Sequence, residues 1–237
     1  MFALTQKWHT DNNDVRLRLA TPDGYAVIDA ARQHGRGGVA VIYRKHLRCS
    51  GVSLTTLTTF EAVCVSLTIP SGHIVLLNIY RPGSTRSSTS FYDELASVLE
   101  LLVVHSCPVI IGGDINIHAH DADDPDARRL GQLLADFQAV QHVTSATHRC
   151  GGRPTLDLVM TFTGCPVDEI NVGSAGVVCD QSLVVCRLPI HIGQSRTAER
   201  LVRGWRRVDR DELRRVLRDS ELCRPVACDA NVDDLII

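Results

Sequence analysis

Val109-Ile110-Ile111-Gly112-Gly113-Asp114-Ile115-Asn116-Ile117-His118 is the stretch from which the rest of this chain can be read. Its opening apolar triplet predicts a buried strand, and Gly112-Gly113 end that strand with backbone freedom before Asp114 and Asn116. Residues two apart on an extended segment point the same way, so the Asp114 carboxylate and the Asn116 amide can address one small object. A metal-bound water or a phosphate fits that description. A strand end whose Asp and Asn only stabilise a turn fits these residues equally well, and the flanking sequence has to decide.

On the upstream side, further strands are predicted at Phe2-Ala3-Leu4-Thr5, at Tyr25-Ala26-Val27-Ile28 and over Gly38 to Tyr43, Ala62 to Leu67 and His73 to Tyr80. Most are rich in β-branched residues and bounded by Gly, Pro or Ser. Short links between them favour antiparallel hairpins over strict βαβ alternation. The period then changes. Phe91, Leu95, Val98, Leu99 and Leu102 share one helix face, with Ser90 as the expected cap and Asp93 and Glu94 in the first turn. Downstream, Asp124 as cap and Pro125 at the first helical position announce a second helix, with Leu130, Leu133, Leu134 and Phe137 on its apolar face.

Strands resume over Thr155 to Met160, Val167 to Val172 and Leu183 to Leu188. Beyond Pro189 a polar link leads to a helix with Asp209 and Glu212 as a capping box and Leu213, Val216 and Leu217 inward. The expected boundary lies near residue 190, giving domains 1–190 and 191–237. Neither a repeat nor a low-complexity tract occurs. The predicted fold is α/β: two mainly antiparallel sheets packed face to face, with flanking helices.

Composition excludes several classes. The chain has 237 residues, 44% of them hydrophobic, enough for a sizeable core. No run approaches the ~18 apolar residues of a membrane span, and Met1 to His9 lack the pattern of a signal peptide. Nine cysteines without a Cys-x-x-Cys pair fit reduced thiols and an intracellular protein better than a disulfide framework or zinc cluster. The net charge of −2 divides unevenly: ten arginines against six acids from Arg196 to Arg224 give +4, leaving −6 elsewhere. An acidic body suits a site that holds a cation more than nonspecific phosphate binding. With only Lys7 and Lys45 as lysines, arginine must carry any phosphate recognition.

Four strand ends carry polar residues where apolar ones are expected: Asn78 and Tyr80, Asp114 and Asn116, Asp157, and Cys179-Asp180-Gln181-Ser182. Each has a structural explanation by itself. Several buried polar groups are cheaper, however, if they share one metal and its hydrogen-bond shell. His118 and His120 with Asp121 and Asp123 read as a solvated loop, and the arginines of the last helix as a solvated face. A Cys179 thiolate is a poor partner for Mg²⁺.

Asn78-Ile79-Tyr80-Arg81-Pro82, Gly113-Asp114-Ile115-Asn116, Thr155-Leu156-Asp157-Leu158-Val159 and Asp180-Gln181-Ser182-Leu183-Val184-Val185, in this order, resemble the endonuclease/exonuclease/phosphatase superfamily. Within it they are most similar to the endonuclease domain of non-LTR retrotransposons. The resemblance implies a phosphodiesterase that hydrolyses DNA with Mg²⁺, Mn²⁺ being the second candidate, and nicks a target to prime reverse transcription. It implies that Asp114 orients or deprotonates the attacking water, with Asn116 fixing it, and that Tyr80 and Asn78 contact the phosphate. Asp180 would help to position the metal, and Asp157 would orient residue 181. The implied partners are DNA and the reverse transcriptase of a parent polyprotein, with no membrane and no obligate protein partner, and the implied location is the nucleus. The Arg-rich segment with Trp205 is similar to a connector to that polymerase.

Three departures qualify the resemblance. A Thr-Glu-x-Trp motif supplies the family's main metal ligand, and here the stretch is Thr5-Gln6-Lys7-Trp8, which offers Mg²⁺ a neutral oxygen. The family's last motif ends Asp-His, whereas this chain has Asp180-Gln181, and glutamine does not cycle a proton near neutral pH. The family's first strand lies upstream of Thr5, where this sequence has only Met1 to Leu4. The expectation is therefore an impaired copy. A non-catalytic remnant of a mobile element and a phosphomonoesterase of the same fold are the alternatives, since fold does not fix substrate.

Overall fold

The computed structural model describes residues 1–6, 15–30, 37–70, 72–84, 86–148, 155–165, 167–174, 181–189 and 209–220. The chain divides into two units, Met1–Gln194 and Ser195–Ile237, four residues beyond the expected boundary.

The first unit is built around β6 (Gly72–Tyr80), whose residues from Ile74 to Tyr80 are all buried, as expected of a strand covered on both faces. It pairs antiparallel with β5 (Glu61–Ile69) and parallel with β7 (Val109–Asp114), the crossover being α2 (Thr89–Val103). β7 pairs antiparallel with β9 (Asp157–Phe162), and β4 (Arg48–Gly51) and β8 (Ala139–Gln141) form the edges of this six-stranded sheet.

Side-chain alternation sends the two faces to different cores. Val75, Leu77, Ile79, Val109, Ile111, Leu158 and Met160 pack under α2 and α3 (Pro125–Asp136). Ile74, Leu76, Tyr80, Ile110 and Val159 pack on the opposite side. There they meet a three-stranded sheet, ordered β1 (Phe2–Leu4), β3 (Val39–Arg44), β2 (Tyr25–Ala30), and a hairpin of β10 (Glu169–Val172) with β11 (Val184–Arg187). The expected α/β sandwich is present, with its second layer divided into two small sheets. β6–β7 is the only parallel pair among the described strands.

Several local expectations are corrected. Ser88, not Ser90, caps α2, its Oγ accepting from Phe91 N–H at 3.2 Å. Asp93 and Glu94 therefore fall beyond the first turn, and Glu94 accepts from the backbone N–H groups of Thr58 and Thr59. Asp124 caps α3 as expected, accepting from Asp126 N–H at 2.8 Å. α1 (Val15–Ala20), β4 and β8 were not legible in the sequence, because a six-residue helix and short, part-exposed edge strands lack an apolar period.

In the second unit only α4 (Arg210–Asp219) and its flanks are described. Asp209 caps it, but Glu212 pairs with Arg215 at 2.6 Å. Leu213, Val216 and Leu217, expected inward, are 36%, 52% and 43% exposed.

Candidate active site

Strand register gathers the polar strand ends. Glu61 faces Tyr80, Tyr80 faces Asp114, and Asp114 faces Asp157, a single row across β5, β6, β7 and β9. Neighbouring strands lie about 4.8 Å apart, so the Asp114 and Asp157 carboxylates are adjacent. Tyr80 belongs to the inter-sheet core, which identifies that side of the sheet as the one the row occupies. Glu61, whose carboxylate accepts from Gly38 N–H, was missed in the sequence; its sole signal is an acid immediately before an apolar strand.

The end of β7 and the turn after it have a tightly determined backbone. Gly113 has φ +133°, and a Cβ there would lie 1.9 Å from the Ile79 carbonyl oxygen, so the parallel β6–β7 approach requires glycine. Asn116, at φ +52°, adopts the left-handed conformation that Asn tolerates. Its N–H donates to Asp114 Oδ1 at 3.0 Å, while its Nδ2 donates to the Arg81 carbonyl at 2.8 Å.

Arg81 completes this arrangement, a role the sequence reading did not assign. Its backbone N–H donates to the Asp114 carbonyl at 2.8 Å. Its Nε and Nη2 donate to the Ile115 and Asn116 carbonyls, each at 2.6 Å, and its guanidinium lies 5.4 Å from the Phe91 ring centroid. A planar fork that satisfies two adjacent carbonyls is a function of arginine that lysine does not reproduce.

Two distant segments converge on the same carboxylate. Gln6 Nε2 and Gln181 Nε2 each donate to Asp114 Oδ2 at 3.3 Å. Gln6 follows β1 and takes φ +54°, unusual for glutamine. Gln181 bridges to His148, and Ser182 N–H donates to the Thr147 carbonyl at 2.8 Å. Thr147 Oγ1 in turn accepts from the N–H groups of Leu156 and Asp157, tying this segment to the start of β9.

With these groups around it Asp114 is 1% exposed. Burial pushes its carboxyl up to about 7, and the neighbouring Asp157 charge pushes the same way, against the Asn116 hydrogen bonds and the Arg81 charge.

The expected residues are thus partly assembled. Gln6, Asp114, Asn116 and Gln181 touch, and Tyr80 and Asp157 occupy the same row. Asn78 is fully buried, and its amide donates to the Leu4 carbonyl at 2.8 Å and the Ala40 carbonyl at 3.1 Å. It is a strut between the two sheets. Asn116 holds Asp114 through its backbone N–H and also donates its amide to the Arg81 carbonyl. Asp180 lies outside the described residues.

The donor chemistry tests whether a divalent cation fits. A carboxylate has about four lone-pair positions, and three on Asp114 already accept N–H groups. Among the described residues no group of three His, Cys, Asp or Glu side chains could hold a metal ion. As arranged, the described donors leave the Asp114 carboxylate few lone pairs for Mg²⁺ or Mn²⁺, although enzymes of this family generally use a divalent metal.

The first unit is thus an α/β sandwich flanked by helices, with acids and amides at the ends of its central strands. The sequence model of the Endonuclease/Exonuclease/phosphatase family matches residues 4–218, and the chain belongs to that family, whose members are hydrolases. Among solved structures, the endonuclease domain of TRAS1, a telomere-specific non-LTR retrotransposon, is similar with a TM-score of 0.58 at 16% identity, covering 71% of this chain and 82% of that one. The 3′ phosphatase NExo from Neisseria, bound to product DNA hairpin, gives a TM-score of 0.57 at 15% identity over 78% and 87%. TDP2 from D. rerio, complexed with single strand DNA product, gives 0.51 at 14% over 78% and 83%. No curated protein is similar enough in sequence to match.

Proposed function

We propose that this chain is a DNA phosphodiesterase of the non-LTR retrotransposon endonuclease type whose hydrolytic step is attenuated. The observation that carries the reading is the buried Asp114 carboxyl, pushed up to about 7 beside Asp157 and in one row with Tyr80. A base whose pKa lies near neutral is suited to taking a proton from water in a displacement at phosphorus. Asp157 helps to hold the proton affinity of Asp114 high, and the Arg81 and Asn116 backbone contacts hold it in place. Tyr80 is the row residue with a hydroxyl to offer a phosphate oxygen. DNA as substrate is supported by the retrotransposon endonuclease and the DNA-bound enzymes among the structural relatives. Nicking to prime a reverse transcriptase in the nucleus is the corresponding biological role.

Attenuation follows from the two glutamines. Their amides cover Asp114 Oδ2, so a water reaches that oxygen only when an amide moves. Loss of a proton-transfer group costs on the order of 10² to 10⁴ in rate. The same contacts favour a second reading, a non-catalytic copy that retains the fold and binds DNA weakly.

Nicking of supercoiled plasmid in Mg²⁺ distinguishes the two. The attenuated enzyme nicks slowly, Gln6→Glu with Gln181→His nicks faster, and Asp114→Ala abolishes the gain. A folded double variant that nicks no better than the parent would sink the proposal and leave the second reading.

A further inference from the structure

We infer that Gln6 and Gln181 take the place of a divalent cation in assembling this site, so that the Asp114 centre forms without metal, and that residue 6 decides which chemistry holds it together. The inference stands on contacts within the described residues and needs no catalytic step.

Asp114 Oδ2 receives two amide hydrogens, from residues 108 and 67 positions away in sequence. Those two contacts join β7 to the segment after β1 and to the segment before β11. Oδ1 receives a third hydrogen from Asn116 N–H. Three neutral donors thus converge on one buried carboxylate, with Asp157 next to it in the row. For a buried acid, neutral N–H donors and a cation are alternative ways to compensate lost solvation. Here the donors occupy most of the lone-pair positions that a cation would need. The left-handed backbone at Gln6, unusual for that residue type, is retained in the conformation that lets its amide reach Asp114.

The alternative chemistry is one substitution away. A carboxylate at position 6 would bring a second negative charge against Asp114 Oδ2 beside the Asp157 charge. Three acids in such a cluster repel one another unless a hard cation binds among them. The chain as it stands has a neutral amide there and lacks that requirement.

The test is thermal unfolding of the full chain in EDTA and in millimolar Mg²⁺, with NaCl matched for ionic strength, together with calorimetric titration of Mg²⁺ into the parent. The parent is expected to unfold at the same temperature in both buffers and to give no saturable heat. Gln6→Glu should unfold at a lower temperature in EDTA and recover in Mg²⁺. Gln6→Leu, which removes the amide without adding charge, should fall in both buffers without a Mg²⁺ response. Saturable Mg²⁺ binding by the parent, or a Gln6→Glu midpoint that ignores Mg²⁺, overturns the inference. None of these readouts measures nicking, so failure here and failure of the proposed function are separately visible.

Discussion

Replacing Asp114 by Asn should stabilise the protein in a strongly pH-dependent way. The Asp114 carboxyl is pushed from its ordinary 3.8 up to about 7 in the folded chain, mainly by burial and then by the Asp157 charge. The folded state therefore holds a proton that the unfolded state releases as pH rises above the ordinary value. The stability linked to this proton is fully present below that value and is lost as pH climbs through about 7. At about 1.36 kcal/mol per unit, a gap of about three units corresponds to roughly 4 kcal/mol, with the full cost paid above neutrality. Asn keeps an oxygen for the Asn116 N–H and carries no charge, and the glutamine amides can turn to present oxygen to its NH₂.

The variant should thus match the parent near about pH 4 and exceed it by up to roughly 4 kcal/mol above about pH 7. For a chain of this size that is on the order of 10 °C in unfolding midpoint. Urea and thermal unfolding in EDTA, followed by circular dichroism across this pH range, measure the gap. A gap that stays constant with pH, or a parent more stable than the variant in alkaline buffer, would refute the assignment of Asp114 as a buried acid held near neutrality.

Other expectations test the frame around that residue. Arg81→Lys keeps the charge but loses the fork onto the Ile115 and Asn116 carbonyls, and should cost about 2 kcal/mol in urea unfolding. Gly113→Ala should yield little folded protein, because its Cβ would meet the Ile79 backbone and φ is +133°; normal expression and an unchanged midpoint would contradict the parallel β6–β7 approach. Asn78→Leu removes the donors to Leu4 and Ala40 and should cost about 1–3 kcal/mol, while leaving DNA affinity, measured by fluorescence anisotropy, unchanged in the folded fraction. A loss of affinity without loss of stability would instead assign Asn78 a phosphate contact. Leu99→Ala, deep in the α2 contact with the sheet, should lower stability by about 3 kcal/mol.

What the sequence determined was local and periodic. Apolar runs marked β5, β6, β7 and β9, an interval of two put Asn78 with Tyr80 on one strand face, and an interval of three to four marked the buried face of α2. Edge strands β4 and β8 were not legible, since exposure removes the pattern that reveals a strand. Gln6 and Gln181 were recognisable as departures from a family motif, but not as partners of one oxygen.

Tertiary structure alone decided three matters. Strand order aligned Glu61, Tyr80, Asp114 and Asp157 in one row. Packing of the two sheets brought the Asn78 amide onto the Leu4 and Ala40 carbonyls. Closure around Asp114 brought together residues separated by 108 and 67 positions. The physical reason is common to all three: backbone geometry sets the direction of a side chain from its neighbours in sequence, whereas burial, charge and hydrogen-bond partners depend on which strands pack beside it.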